Sequence, residues 1–193
     1  MILTPKLENS VTVHGVLMDV LGLGVLLTGA SGIGKSELAL GLINRGHRLI
    51  ADDAPLFYRQ GGEAVIGSCP SVLRNFLEVR GIGVLDVRAM FGDNAIRDHK
   101  RLRLVVHLVA INDAQLLDMD RLHGIHRTFE VLGVLIPEVT VPVAPGRNLD
   151  VLVEAAVRNE VLKRTGYTAS EEFLKRQHAE ILQAAVDTTR DKL

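Results

Sequence analysis

The sequence predicts an α/β domain: a mixed sheet with a phosphate-binding loop between one strand and a helix, followed by helices at the C-terminus. Residues 29–36 read GASGIGKS and match the pattern G-x-x-x-x-G-K-[ST] at every fixed position. An apolar β-run, GVLLTG, leads into this loop, and apolar residues at helical spacing follow it. The next short apolar run, HRLIADD, ends in two adjacent carboxylates. Together these segments predict one nucleotide-binding unit.

The first half of the chain supplies the strands and the helix of this unit. Two β-runs between residues 11 and 28 flank the tripeptide LGL at 21–23, a spacing that predicts a tight antiparallel connection. We predict a helix from about Ser36 to Arg45, ended by Gly46. Its apolar stripe consists of Leu38, Ala39, Leu42 and Ile43.

The second half predicts a hairpin, two strands and two helices. Residues 54–70 are rich in glycine and proline and predict a hairpin with a loose tip. The segment FLEVRGIGVLDV begins as helix or strand and breaks at Gly81 and Gly83. The remaining predictions are a buried strand at RLRLVVHLVAI, a strand at VLIPEVTVPV whose prolines favour a sheet edge, and a helix over 149–164. A capping box of Thr168 and Glu171 opens a last helix, which carries Phe173, Ile181, Leu182 and Ala185 on one face.

Composition favours a single domain over residues 1–193. Of the 193 residues 47% are hydrophobic, and the formal net charge is -1, so there is material for one core and no basic excess for nucleic acid. The most apolar stretch, HGVLMDVLGLGVLLTG, is interrupted by Asp19 and is shorter than the roughly 20 residues of a membrane span. The N-terminus lacks a signal-peptide pattern, and Cys69 is the single cysteine. We therefore expect a cytoplasmic protein with neither a membrane nor a nucleic-acid partner.

The glycine-rich loop predicts a site for the phosphates of a nucleotide. A turn of this kind aims backbone N–H groups and the positive end of the helix dipole at one point. Lys35 would bridge the terminal phosphates, and the Ser36 hydroxyl would ligate Mg²⁺. The binding residues predicted from the motif are Gly29, Ala30, Ser31, Gly32, Ile33, Gly34, Lys35 and Ser36.

The adjacent carboxylates Asp52 and Asp53 predict a division of roles. Because side chains alternate along a strand, both cannot point at the same phosphate. One of them would orient the metal's hydration shell or the loop. The other would accept a proton from the acceptor, and such a base contributes on the order of 10² to 10⁴ in rate.

These residues bring a known family into view. The chain resembles the catalytic domain of HPr kinase/phosphorylase, bifunctional bacterial enzymes that phosphorylate a serine of the phosphocarrier HPr and also remove that phosphate. The resemblance lies in HGVLMDVLGLGVLLTGASGIGKSELALGLINRGHRLIADD, FLEVRGIGVLDV, MDRL and VTVPVAPGRNL. It implies a mixed-sheet kinase core related to that of phosphoenolpyruvate carboxykinase, and a homo-hexamer. The family commonly has an N-terminal domain ahead of this region, which we expect to be absent here.

The resemblance also implies roles for individual residues. It makes His14, Lys35, Asp53 and Arg121 active-site residues, and Ser36 and Glu78 ligands of magnesium. The segment 77–86 would serve both reactions, and 142–147 chiefly dephosphorylation. At Ala144 and Pro145 the chain departs from the family pattern. Because this segment is the one associated with dephosphorylation, the departure makes phosphorylase activity a weaker expectation than kinase activity.

The implied chemistry uses one carboxyl in two directions. In the forward reaction Asp53 would take the proton of the HPr serine as it attacks the γ-phosphate of ATP. In phosphorolysis, inorganic phosphate would attack phosphoserine to give pyrophosphate, and Asp53 would return the proton. Acting as base and acid requires a pKa raised toward the working pH, by burial or by Asp52 beside it. For docking of the protein acceptor, basic side chains outnumber acidic ones between residues 74 and 103.

Two other functions remain open on the sequence alone. A small-molecule kinase, or a relative of the ATP-dependent carboxykinase, would keep the loop and change the acceptor. A nucleotide-controlled regulatory module would bind ATP without transferring it, and Asp53 would then be dispensable.

Overall fold

In a computed structural model, the described residues are 10–111, 122 and 124–190, with side chains described as far as residue 183. The strands are β1 (Ser10–Thr12), β2 (Val16–Val20), β3 (Leu23–Gly29), β4 (Arg48–Ala51), β5 (Leu56–Gln60), β6 (Ala64–Ser68), β7 (Phe76–Val79), β8 (Gly83–Asp86), β9 (His99–Ala110), β10 (His126–Val131) and β11 (Val134–Val143). The α-helices are α1 (Lys35–Asn44), α2 (Val87–Phe91), α3 (Leu149–Arg164) and α4 (Ala169–Arg190). The predicted mixed α/β sheet with C-terminal helices is confirmed.

The main sheet is built around three parallel strands. β9 pairs in parallel with β3 and with β11, so the carboxyl ends of all three lie at one edge of the sheet. The strand order is β1-β5-β6-β9-β3-β2-β4, with β10 added through β11. The loop that follows β3 therefore lies at the edge where a parallel sheet presents its ligand sites.

Alternating side chains of β2, β3 and β9 fill two core layers. One layer packs the sheet against α1 and α3 and includes Leu27, Leu42 and Val157. The other lies on the opposite face and includes Leu26, Phe57 and Val105. Burial on both faces explains why these strands are nearly continuous apolar runs in the sequence.

The tight antiparallel connection predicted between β2 and β3 is confirmed; it is a two-residue turn, because Leu23 already pairs with Val20. Leu21 and Gly22 have φ of 51° and 82°, the left-handed pair that a tight hairpin requires. The predicted helix is also confirmed, since α1 buries its apolar stripe. After α1, Gly46 has φ of 88° and its N–H donates to the Ile43 carbonyl at 2.9 Å.

The segment of undecided structure after residue 75 is a β-hairpin. β7 pairs antiparallel with β8, and the glycines with positive φ are Gly81 in the turn and Gly83 at the start of β8. Leu77 and Val79 are buried in the core layer that also covers α1. Phe76 and Val84 lie on the other face of the hairpin and are exposed.

The prediction that VLIPEVTVPV forms a sheet edge is wrong for the strand as a whole. β11 pairs with β10 along residues 134–139 and with β9 along 138–143. Pro137 lies before the first β9 partner, and Pro142 lies beyond the last β10 partner. Each proline therefore lies where β11 is paired with only one neighbouring strand. Its lack of an N–H then costs no hydrogen bond to a second strand.

The two C-terminal helices begin where the sequence predicts them. α3 spans 149–164 and buries Val153 and Val157 against the sheet. α4 follows Thr168, whose carbonyl accepts the Glu172 N–H at 3.1 Å. Its apolar residues Phe173, Ile181 and Leu182 are exposed. No helix within the described ranges is long and apolar enough to cross a bilayer.

Candidate active site

The loop between β3 and α1 has a backbone that only glycine can follow at key positions. Gly29 and Gly34 have φ of 140° and 100°, and Gly34 is the residue immediately before α1. A Cβ on Gly29 would lie 2.6 Å from the carbonyl oxygen of Leu108 on the neighbouring strand. The loop therefore closes tightly against the sheet, directly before the first turn of α1.

Lys35 and Ser36 are the first two residues of α1. The buried Lys35 ammonium donates to the carbonyls of Gly29 and Ala30, each at 3.1 Å. The Ser36 hydroxyl donates to Asp52 Oδ1 at 3.4 Å. The motif cation is thus held inside the curve of the loop, and the motif hydroxyl faces the acidic end of β4.

Asp52 connects the loop helix to the β7–β8 hairpin. Its second carboxylate oxygen accepts the Glu78 backbone N–H at 2.9 Å, while the first contacts Ser36. Burial raises the pKa of Asp52, and the hydrogen bonds from Glu78 and Asp53 N–H groups and from Ser36 oppose that rise. This carboxylate fixes the relative position of the two residues predicted to bind magnesium.

Asp53 points away from Asp52 because the chain turns after the strand ends. β4 stops at Ala51, and Asp53 has φ of 63°, within a three-residue turn closed by the Ala54 N–H donating to the Asp52 carbonyl at 2.7 Å. The Asp53 carboxylate lies 2.9 Å from His14 Nδ1, and its side chain is 73% exposed. Asp53 is therefore not buried as expected, and the buried carboxylate of the pair is Asp52.

The loop and the two aspartates share one cleft of about 170 Å³. Its lining consists of His14, Val16, Ser31, Gly32, Gly34, Lys35, Ser36, Glu37, Asp52, Asp53, Glu78 and Arg80. The cleft includes most of the predicted site residues: His14, Ser31, Gly32, Gly34, Lys35, Ser36, Asp53 and Glu78. Gly29 and Ala30 contribute the carbonyls that hold Lys35, and Ile33 packs toward the core. Arg121 lies outside the described residues, and the roles of all these groups remain predictions.

The sequence reasoning did not assign the lining residues Val16, Glu37 and Arg80 individually to the site. Glu37 follows the motif directly, a position that could have marked it. Arg80 was included only within the segment 77–86 and given no role of its own, yet its guanidinium lies over Gly32, where a Cβ would come within 3.0 Å of Nη1. Conversely, none of the predicted dephosphorylation residues 142–147 is among the residues that line the cleft.

The donors in the cleft fit a magnesium ion that is bound mainly through phosphate and water. Within the described part of the chain, no three His, Cys, Asp or Glu side chains converge to hold a metal by themselves. Mg²⁺ is commonly held by one or two protein oxygens together with substrate phosphates. The Ser36 hydroxyl and the Glu78 carboxylate, both in the cleft lining, would supply such oxygens.

A mixed sheet whose strand β3 runs through a glycine loop into α1, with an acidic side chain facing that loop, defines a protein of the phosphate-loop α/β class. Within this class the chain belongs to the HPr Serine kinase C-terminal domain family, which it matches over residues 5–177. The resemblance seen in the sequence is thereby confirmed.

Relatives and a solved structure agree with this membership. The chain is 49% identical over 174 residues to HPr kinase/phosphorylase of Chromobacterium violaceum, covering 90% of the chain and 55% of the relative. It is 52% identical over 180 residues to HPr kinase/phosphorylase of Bordetella avium, covering 93% and 58%. The structure of Hpr(Ser) kinase/phosphatase from Coxiella burnetii matches with a TM-score of 0.75 and 41% identity, covering 84% of this chain and 98% of that one. The chain thus spans a little over half the length of these two curated relatives.

Proposed function

We propose that this chain is a bifunctional serine kinase/phosphorylase. It transfers the γ-phosphoryl group of ATP to a serine of the phosphocarrier protein HPr, and it removes that group by phosphorolysis with inorganic phosphate, giving pyrophosphate. The observation that carries the proposal is the shared cleft, in which the phosphate loop faces Asp53 and His14. Family membership and the names of the relatives support HPr as the acceptor.

In the forward reaction the loop amides and Lys35 hold the ATP phosphates. The serine oxygen forms a bond to the γ-phosphorus while the bond from that phosphorus to the ADP oxygen breaks, and Asp53 accepts the serine proton. His14 Nδ1, at 2.9 Å from Asp53, orients that carboxylate toward the acceptor. Mg²⁺ supplies neutralisation of phosphate charge when bound, with Ser36 and Glu78 as its protein oxygens.

In the reverse reaction inorganic phosphate takes the place of the β-phosphate in the loop. Its oxygen bonds to the phosphorus of phosphoserine, the bond to the serine oxygen breaks, and the protonated Asp53 carboxyl returns a proton to that oxygen. The proton lost by the attacking phosphate restores the carboxyl. One site serves both directions because phosphoryl transfer depends mostly on positioning and charge neutralisation.

The charge of the cleft supports a need for the metal. Four carboxylates line it, Glu37, Asp52, Asp53 and Glu78, against two cationic side chains, Lys35 and Arg80. A polyphosphate entering this lining would meet more negative than positive fixed charge. One divalent cation offsets that excess of negative charge.

We further propose a cytoplasmic homo-hexamer. The exposed apolar residues Phe173, Ile181 and Leu182 of α4 support assembly through that helix, since such a stripe is normally covered. ATP as donor supports the cytoplasmic location.

The test is a two-step reaction with the purified chain. Incubation with ATP, Mg²⁺ and HPr should give phosphoserine-HPr; after removal of ATP, added phosphate should remove the phosphoserine and release pyrophosphate. Asp53→Asn should keep ATP binding and lose transfer in both steps by on the order of 10² to 10⁴. Asparagine suits this test because it also tolerates the left-handed backbone of residue 53.

Each alternative function gives a different result. ATP binding without any transfer by the wild-type chain would identify a regulatory module. Transfer to a small molecule and not to HPr would identify a small-molecule kinase. Full transfer by the Asp53→Asn variant would show that a residue other than Asp53 accepts the serine proton.

A further inference from the structure

Asp19, near the end of β2, is a buried carboxylate surrounded by three cations. Its Oδ2 lies 3.1 Å from Lys100 Nζ, 3.8 Å from Arg48 Nη1 and 4.0 Å from Arg97 Nε. Its side chain is only 2% exposed, and neither carboxylate oxygen accepts a hydrogen bond of good geometry from the described residues. Lys100 reaches Asp19 across Gly24, where a Cβ would lie 3.0 Å from the lysine Cγ. We call these four charged residues the Asp19 cluster.

The cluster holds more positive than negative charge. Among the described residues, no acidic side chain other than Asp19 pairs with any of its three cations. The nearby Arg45 and His47 are paired with Glu154 on α3, and Asp98, which follows Arg97 in the chain, is paired with an arginine outside the cluster. Three positive charges against one therefore leave the cluster a surplus of two.

A cavity of about 250 Å³ opens beside the cluster. It lies between the C-terminal end of α1 and the β2–β3 turn, and its charged and titratable lining is Asp19, Arg45, His47 and Arg48. The oxygens of Asp19 are covered, so a ligand in the cavity would meet the cations and not the carboxylate. The Arg48 side chain is 42% exposed, and Arg45 uses Nε and Nη2 on Glu154, which leaves its Nη1 for a ligand.

This cavity is separate from the cleft that contains the phosphate loop. β2 runs antiparallel to β3, and Asp19 pairs with Gly24 near the start of β3, whereas the loop follows the end of that strand. The cavity and the cleft therefore lie at opposite edges of the sheet. The cleft lining has an excess of carboxylates, whereas the cavity lies beside a surplus of positive charge.

We propose that this cavity is a second anion-binding site, which takes the phosphomonoester group of a soluble small molecule without a metal ion. A phosphomonoester carries nearly two negative charges at neutral pH, which matches the surplus of the cluster. A phosphodiester carries only one. Arg48 and Arg45 Nη1 donate to the phosphate oxygens, and the charges of Arg97 and Lys100 favour the same anion. The site goes beyond the proposed function, since it takes no part in phosphoryl transfer at the loop.

Calorimetric titration of methyl phosphate tests the site. The whole chain is titrated as the Lys35→Ala variant in EDTA, so that neither a divalent metal nor an intact phosphate loop contributes. We expect a Kd of about 1 mM or tighter at pH 7.5 and low salt. Arg48→Ala in the same background should weaken binding about tenfold, because charge-assisted hydrogen bonds are lost. Dimethyl phosphate, which has a similar shape and one charge, should bind about tenfold more weakly than methyl phosphate.

Gly22 offers a matched pair of variants that leaves the cluster itself unchanged. It lines the cavity, its φ is 82°, and a Cβ there would meet no atom within 4 Å, so aspartate and asparagine both fit the turn. Gly22→Asp adds a negative charge to the lining and should weaken methyl phosphate binding by about threefold or more. Gly22→Asn and Arg59→Ala, which removes an arginine of β5 outside the cavity, should bind like the background.

Four results would overturn the site: no binding of methyl phosphate, equal affinity for dimethyl phosphate, equal effects of the two Gly22 variants, or unchanged affinity in a folded Arg48→Ala protein. If circular dichroism shows that Arg48→Ala does not fold, the Gly22 pair decides. Binding to vesicles that contain phosphatidic acid, without binding of free methyl phosphate, would also overturn a soluble ligand. All of these leave the proposed function intact, because the titration measures no transfer, and a chain that fails to phosphorylate HPr would leave the site intact.

Discussion

Glu154 on α3 fastens the C-terminal end of the phosphate-loop helix. Its carboxylate accepts hydrogen bonds from Arg45 Nε at 2.8 Å and Nη2 at 2.7 Å, and His47 Nε2 lies 2.8 Å from the same group. The hydrogen bonds from Arg45 and then His47 lower the pKa of Glu154 from 4.5 to about 2. Glu154→Gln keeps the shape of the side chain and removes the charge.

The pKa shift of Glu154 sets an upper limit on how much its ion pair stabilises the fold. At 1.36 kcal/mol per pKa unit, a fall from 4.5 to about 2 corresponds to at most about 3.4 kcal/mol. Arg45 is 39% exposed, so solvent screens the interaction, and we expect Glu154→Gln to lower the free energy of unfolding by about 1–2 kcal/mol at pH 7. For a chain of this size that loss corresponds to a Tm lower by about 2–8 °C.

The same pKa sets the pH dependence. Because the folded-state pKa lies below the unfolded value, the unfolded chain binds more protons between the two values, and the stabilisation is lost as the pH falls from about 4.5 toward 2. The difference between wild type and Glu154→Gln should therefore be largest above pH 5 and shrink below pH 4.

Urea unfolding followed by far-ultraviolet circular dichroism measures these differences, since the chain has no tryptophan. Glu172→Gln is the matched control: Glu172 also accepts Arg176 Nε at 2.8 Å, but on an exposed helix surface. Its effect should stay below about 0.5 kcal/mol. Equal stability of Glu154→Gln and wild type at pH 7, or a difference that does not change with pH, would refute the reasoning.

Two further predictions concern the cleft. Lys35→Ala should lose nucleotide-dependent chemistry in both directions, because the cation at the phosphates is gone, and phosphate transfer to and from HPr measured with radiolabel checks it; retained transfer in either direction would contradict the motif assignment. Burial raises the pKa of Asp52, so above pH 3.8 the folded wild-type chain binds more protons than the unfolded chain, and its free energy of unfolding should fall as the pH rises. The Asp52→Asn variant lacks this carboxyl and should not show that fall. Urea unfolding of both proteins between about pH 4 and pH 8 tests this, and parallel curves would show that the carboxylate ionises without cost.

Local patterns in the sequence were enough to locate the loop, its helix and most of the strands. The glycine spacing of 29–36 and the apolar runs of β3 and β9 follow from backbone geometry within a few residues, and the structure follows them. The hairpin β7–β8 was undecided because its alternation is short and interrupted by Gly81 and Gly83. The interior position of β11 was missed, since a proline disfavours only the side on which its own N–H is lacking.

By itself the sequence determined the phosphate loop, the acidic end of β4 and the membership of a family, because each is encoded in neighbouring residues. Only the tertiary structure decided that Asp52 joins Ser36 to the hairpin, that Asp53 meets His14, and that Arg80 lies over Gly32. Those contacts depend on where separate strands and turns meet in space, and on a left-handed turn at residue 53, which no local pattern specifies.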